Sequence, residues 1–181
     1  MNVEDLNRVV GSVLDLAKCS RGSSFLQAAL KQHPRRSFEV IAAEMPPQVL
    51  VPLLADMNGA YVAMLLLQMM PLPQAITFVN HLAKQEELLL ALCTKDLHSR
   101  RVVAFVMELV GAHNCQFLID LVLKYPLKLV QSQHGCIIVQ RILDAFSFDS
   151  KERFFNVIRS HFFDLAVDPF GSYIAHIGRP H

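Results

Sequence analysis

The chain has 181 residues, a formal net charge of +1, 52% apolar and 18% charged residues, and a mean hydropathy of +0.33. That length holds one ordinary domain with a substantial core. The near-neutral charge excludes nucleic-acid binding by bulk charge alone, so any such function must use local basic placement and stacking. The longest apolar run, Tyr61 to Met70, contains Gln68 and is stopped by Pro71 and Pro73. It falls well short of the roughly 20 residues a spanning helix needs. Glu4 and Asp5 leave no basic opening for a secretory leader. No membrane partner is expected, and the compartment is read as cytoplasmic, with the nucleus or nucleolus open. Cys19, Cys93, Cys115 and Cys136 have no CxxC spacing and are expected as free thiols. The eight histidines form no HxxxH or HExxH, so neither metal nor cofactor is expected.

In chain order, a helix is expected over Val3 to Lys18, carrying Leu6, Val9, Val10, Val13, Leu14 and Leu16. Five similar segments follow: Ser20 to Leu30, Met57 to Leu67, Leu97 to Met107, Gln133 to Leu143 and Pro169 to Arg179. Each is anchored by a small residue, Gly22, Gly59, Ser99, Gly135 or Gly171, at spacings of 37, 40, 36 and 36 residues. Such a period is the mark of a repeat architecture. Six positions before the anchors stand Leu16, Leu53, Cys93, Leu129 and Leu165; three before stand Cys19, Asp56, Asp96, Ser132 and Asp168. Asp and Ser there are suited to cap a helix. Apolar residues at +3, +4, +7 and +8 make one helical stripe, as in Val102, Val103, Val106 and Met107. Second helices are expected near Ser37 to Met45, Pro73 to Ala83, Asn114 to Lys124 and Ser150 to His161, with Phe38, Phe78, Phe117 and Phe154 recurring and Ser37 and Ser150 as caps. Stacked units of this kind bury faces that one unit alone cannot.

The segments SQHGCIIVQRIL (Ser132 to Leu143), DPFGSYIAH (Asp168 to His176) and RGSSFLQAAL (Arg21 to Leu30) resemble the Pumilio-type (PUF) repeat. The resemblance implies an all-α fold: a right-handed α-solenoid (superhelix) of about five PUF-like helical repeats, forming a single domain over 1–181. It further implies single-stranded RNA binding on the concave face, each repeat offering an edge-reading pair at +1 and +5 and a stacking residue at +2. Carried onto this chain, these are Ser23, Gln27 and Ser24; Ala60, Met64 and Tyr61; Arg100, Ala104 and Arg101; Cys136, Gln140 and Ile137; and Ser172, His176 and Tyr173. Cys136 with Gln140 resembles the family's adenine-reading pair. The RNA-contacting set is therefore expected to be Ser23, Ser24, Gln27, Tyr61, Arg100, Arg101, Cys136, Gln140, Ser172, Tyr173 and His176.

Ala60 with Met64 has no polar edge to read, so a short footprint and relaxed specificity are expected, with a role in mRNA regulation or RNA processing. A protein-interaction scaffold with degenerate base readout remains the alternative. No nucleophile elbow or phosphate loop is present, so neither catalysis nor a small-molecule substrate is expected. The chain stops ten residues after Gly171, leaving Ile174 and Ile177 without a following unit. Either the chain is a fragment of a longer array, or a protein partner or second copy covers that end.

Overall fold

The computed structural model describes residues 8–146 and 148–177, with the side chains at 148, 150 and 175–177 outside that description. Among the described residues there is no β-strand, and none of the helices is long and apolar enough to cross a membrane. The chain divides into two compact units, Met1–Lys84 and Gln85–His181. The first contains α1 (Val13–Lys18), α2 (Ser20–Gln32), α3 (Pro34–Ala43), α4 (Pro47–Leu53), α5 (Gly59–Met69) and α6 (Leu72–Ala83). The second contains α7 (Glu86–Thr94), α8 (Leu97–Val110), a 3-10 turn (Ala112–Asn114), α9 (Gln116–Lys124), α10 (Pro126–Val130), α11 (Gly135–Ala145), α12 (Phe148–Arg159), α13 (Phe162–Val167) and α14 (Gly171–Ile177).

Each of the first four repeats is thus a short helix, a long helix carrying the anchor, and a second helix, and the fifth is described through its short helix and α14. The short helices have five to nine residues, too few for a periodic signature of their own. Proline opens α3, α4 and α10 at its first residue, where its missing N–H costs nothing.

The short helix crosses the long one at the anchor, and the crossing is too close for a side chain. A Cβ at Gly22 would lie 2.7 Å from Leu16 Cα, and at Gly59 2.6 Å from Leu53 Cγ. At Gly171 it would lie 2.8 Å from Leu165 Cδ2, and at Gly135 it would run into the Leu129 carbonyl. The third repeat has Ser99 as its anchor and the smaller Cys93 where the others have leucine, and both are buried. The extra atoms on one side are matched by fewer on the other.

The residue three before the anchor ties the crossing down. Its side chain accepts the anchor's N–H in every repeat: Cys19 Sγ from Gly22 at 3.3 Å, Asp56 Oδ1 from Gly59 at 2.7 Å, Asp96 Oδ1 from Ser99 at 2.7 Å, Ser132 Oγ from Gly135 at 3.2 Å and Asp168 Oδ1 from Gly171 at 2.7 Å. Backbone donors at a helix start otherwise lack partners. The apolar stripe is inside, with Leu26, Ala29, Leu30, Val62, Ala63, Leu66, Leu67, Val102, Val106, Ile138, Val139 and Ile142 nearly inaccessible. Each large side chain so buried contributes about 1.5–3 kcal/mol.

Within each unit, consecutive repeats are also joined by polar links. In the first, Ser23 Oγ donates to the Asn58 carbonyl at 2.7 Å and Asn58 Nδ2 to the Lys18 carbonyl at 2.9 Å. In the second, Ser132 Oγ donates to the Thr94 carbonyl at 3.2 Å, and Glu86 accepts from Lys124 Nζ at 2.6 Å and from the Tyr125 hydroxyl.

Three expectations need correction. The helix expected over Val3 to Lys18 is interrupted, and among the described residues helix starts at Val13: Gly11 takes a φ of +83°, and the Glu44 carboxylate accepts the Gly11 N–H at 2.6 Å and the Val13 N–H at 3.3 Å, fixing a turn there. Residues 1–7 lie outside the described residues. Ser37 is not a cap: α3 starts at Pro34, and the buried Ser37 hydroxyl donates to the Ala29 carbonyl at 2.9 Å. Ser150 likewise falls inside α12. Ile174 is fully buried, where α14 packs on α10 and α11, so it is not left bare. Among the described residues, the large exposed apolar side chains of that last repeat are Phe162, Phe163 and Val167 on α13 and Tyr173 on α14.

All four cysteines are free thiols. Burial pushes Cys93 up to about 12 and Cys115 up to about 11. Iodoacetamide labelling followed by mass spectrometry should modify the exposed Cys19 in the native protein and spare Cys93 and Cys115 until denaturant is added. Cys93→Leu should destabilise by about 1–3 kcal/mol in urea unfolding through overpacking. Adding Ser99→Gly to that variant should recover part of the loss; strictly additive effects would count against the volume match.

Candidate nucleic-acid interface

Anchor crossing and cap together set the rotation of each long helix, and so which side chains face solvent. The +2 position is exposed in all five repeats: Ser24, Tyr61, Arg101, Ile137 and Tyr173. Tyr61 is 42% and Tyr173 62% exposed, large values for aromatic side chains on helices whose other apolar columns are buried. Two phenol rings and a guanidinium plane in one register offer faces on which planar bases can stack. Ser24 offers no such face, and its hydroxyl donates to the Ser20 carbonyl at 3.0 Å.

The +1 and +5 positions are less open than +2. Ser23 is 3% exposed; while its hydroxyl donates to Asn58, it accepts from Gln27 Nε2 at 3.0 Å. The first pair is therefore bonded to itself, leaving the Gln27 carbonyl and one amide hydrogen for a ligand. Ala60 is fully buried and Met64 half-buried. Cys136 is 4% exposed, its thiol donating to the Gln133 carbonyl at 3.4 Å. Burial raises that thiol's pKa, against the opposing pull of the nearby Arg100 charge. Gln140 is half-buried and makes no hydrogen bond among the described residues. The Ser172 hydroxyl donates weakly to the Pro169 carbonyl at 3.4 Å. The His176 side chain lies outside the described residues.

In the second unit, α8 and α11 enclose a cleft of about 230 Å³ lined by Leu97, Arg100, Arg101, Ala104, Ile137 and Arg141. Arg141 was not singled out in the sequence. The signal was there, since it lies one turn beyond Ile137 on the exposed face of α11. Its guanidinium pairs loosely with Glu108 at 3.7 Å, both groups being well exposed. A larger hollow of about 470 Å³ in the first unit is lined from α1, α4 and the residues after it, away from the +2 column. Among the described residues no group of three or more His, Cys, Asp or Glu side chains could hold a metal ion.

The family model described as the Pumilio-family RNA binding repeat matches residues 127–159 and 161–174, the fourth and fifth repeats. A Pumilio domain-containing protein of Schizosaccharomyces pombe is 29% identical over 125 residues, covering 69% of this chain and 18% of its own length. Pumilio homolog 9 of Arabidopsis thaliana is 22% identical over 168 residues, covering 92% of this chain and 29% of its own. The chain is thus similar to Pumilio-repeat proteins, and the family model matches its fourth and fifth repeats. Its fold is that of solved PUF domains. The Puf3 RNA binding domain bound to Cox17 RNA 3′ UTR recognition sequence site A superposes with a TM-score of 0.72 at 20% identity, over 93% of this chain and 48% of that one. The RNA-binding domain of yeast Puf5p bound to SMX2 RNA gives 0.74 at 16% identity, over 93% and 48%. The chain spans less than a third of those two relatives and about half of those solved domains.

The caps that hold this register should be measurable one at a time. Asp96→Ala should destabilise by about 1 kcal/mol in urea unfolding, as loss of a helix cap does. The Ser99 N–H holds the Asp96 carboxyl below its usual range. Its contribution is thus present at neutral pH and fades as pH falls below about 4. Asp96→Asn should keep most of the stability and lose that acid sensitivity.

Proposed function

We propose that this chain binds short single-stranded RNA along the +2 column of its long helices, with relaxed sequence preference, and acts on mRNA or RNA processing after transcription. One observation carries the reading. On a PUF fold, the +2 position of the long helices is exposed in all five repeats, and it holds Tyr61, Arg101 and Tyr173. The solved PUF domains of like fold are described with bound RNA, which supports the same ligand class here. The relaxed preference follows from the edge pairs. Ala60 with Met64 and Arg100 with Ala104 cannot make a polar pair, and Ser23 with Gln27 is partly self-satisfied. Gln140 beside Cys136 is the pair best placed to favour one base.

Fluorescence anisotropy with short A-rich and U-rich oligomers tests this. Tyr61→Ala and Tyr173→Ala should each weaken binding by about 1–3 kcal/mol, the usual worth of one base stacked on an aromatic ring. Tyr→Phe at either site should stay near the parent, since the ring and not the hydroxyl does the stacking. Gln140→Ala should narrow the difference between A-rich and U-rich oligomers. A parent chain that binds neither oligomer at low salt, or that is indifferent to both tyrosine substitutions, would falsify the proposal.

A further inference from the structure

We propose that the cleft between α8 and α11 holds an internal phosphodiester of the bound RNA, so that the third repeat grips the strand instead of reading a base. This rests on the RNA reading above and specifies what one repeat does within it. Every charged residue lining the cleft is an arginine: Arg100, Arg101 and Arg141. Neither Arg100 nor Arg101 makes a hydrogen bond or an ion pair among the described residues, so their guanidinium groups, with about five N–H donors each, have no protein acceptor there, and Arg141 has only its loose contact with Glu108.

The placement runs against local electrostatics. Arg100 and Arg101 are the fourth and fifth residues of α8, near the helix's positive end, where cations are disfavoured and anions favoured. Asp96 stands at that end too, but its carboxylate is engaged with the Ser99 N–H at 2.7 Å. Charges set against the local preference mark positions held for function.

Base reading explains the arrangement less well. A guanine edge can be met by one arginine, which leaves two unexplained. Ala104, at the position where a second edge-reading group would stand, offers only a methyl group. The remaining lining, Leu97, Ala104 and Ile137, is apolar and adds no acceptor that would compete with an anion for the guanidinium groups.

The test uses the full chain and an oligomer it binds, remade with one neutral methylphosphonate linkage at each position in turn. One linkage position should weaken binding to the parent but not to an Arg100→Ala/Arg101→Ala variant. Each of Arg100→Ala, Arg101→Ala and Arg141→Ala should flatten the dependence of log K on log salt by about 0.7, the share of one phosphate on a single strand. The loss should be equal whichever base occupies the neighbouring position, and Arg→Lys should restore the slope. Circular-dichroism melting checks that the variants remain folded. A loss confined to guanine-containing oligomers would overturn the phosphate assignment in favour of base reading. A loss that requires a 5′-phosphate would move the site to the strand end and overturn the internal assignment. Unchanged slopes in a parent that binds RNA would overturn the cleft alone, whereas a parent that binds no oligomer would remove both readings.

Discussion

The geometry of the chain depends on the contact between each anchor residue and the short helix that precedes it. The short helix passes so close that a Cβ has no room in four of the repeats, while a side chain three residues earlier accepts the anchor's N–H in all five. A steric limit and a hydrogen bond then act on the same residue. Together they hold the long helix at one rotation, and the apolar stripe follows that rotation inward. The third repeat departs from glycine at the anchor: Ser99 stands there, buried, together with a buried Cys93 that is smaller than the leucine found elsewhere.

Rotation alone does not make a ligand surface; what faces outward must also be unspent. Here the repeats differ. In the first, the edge pair closes on itself through Ser23 and Gln27. In the second, only Tyr61 stands out, its neighbours being apolar. In the third, three guanidinium groups share a cleft. In the fourth, Gln140 is unengaged beside a buried thiol. The same helix geometry thus presents four different chemistries in these four repeats, and the chain's near-zero net charge hides one strongly basic locality.

Much of this was legible before any coordinates. The anchors, the capping column and the apolar columns repeat at a nearly constant period, and the structure places each as that period requires. Where the sequence misled, a physical reason can be named. The short helices carry too few residues for a periodic stripe, so Leu129 and Leu165 read only as apolar positions six before their anchors. Gly11 and Glu44 break the first helix through a contact that spans 33 residues, which no local pattern reports. Ser37 reads as a cap by residue type, but the helix already starts at Pro34, three residues earlier. The burial of Ser23 and Cys136 depends on how neighbouring repeats pack, and Arg141 belongs to the site only because α8 and α11 bring it beside Arg100.

The outward column has one further property. Its side chains take no part in the crossing, the capping or the buried stripe, so exchanging one for another leaves the scaffold's stability almost untouched. Ser24, Tyr61, Arg101, Ile137 and Tyr173 already display that latitude, a hydroxyl, two phenols, a cation and an aliphatic group on equivalent pegs. Such a framework can drift from one ligand preference to another by single steps, none of which passes through an unfolded intermediate sequence.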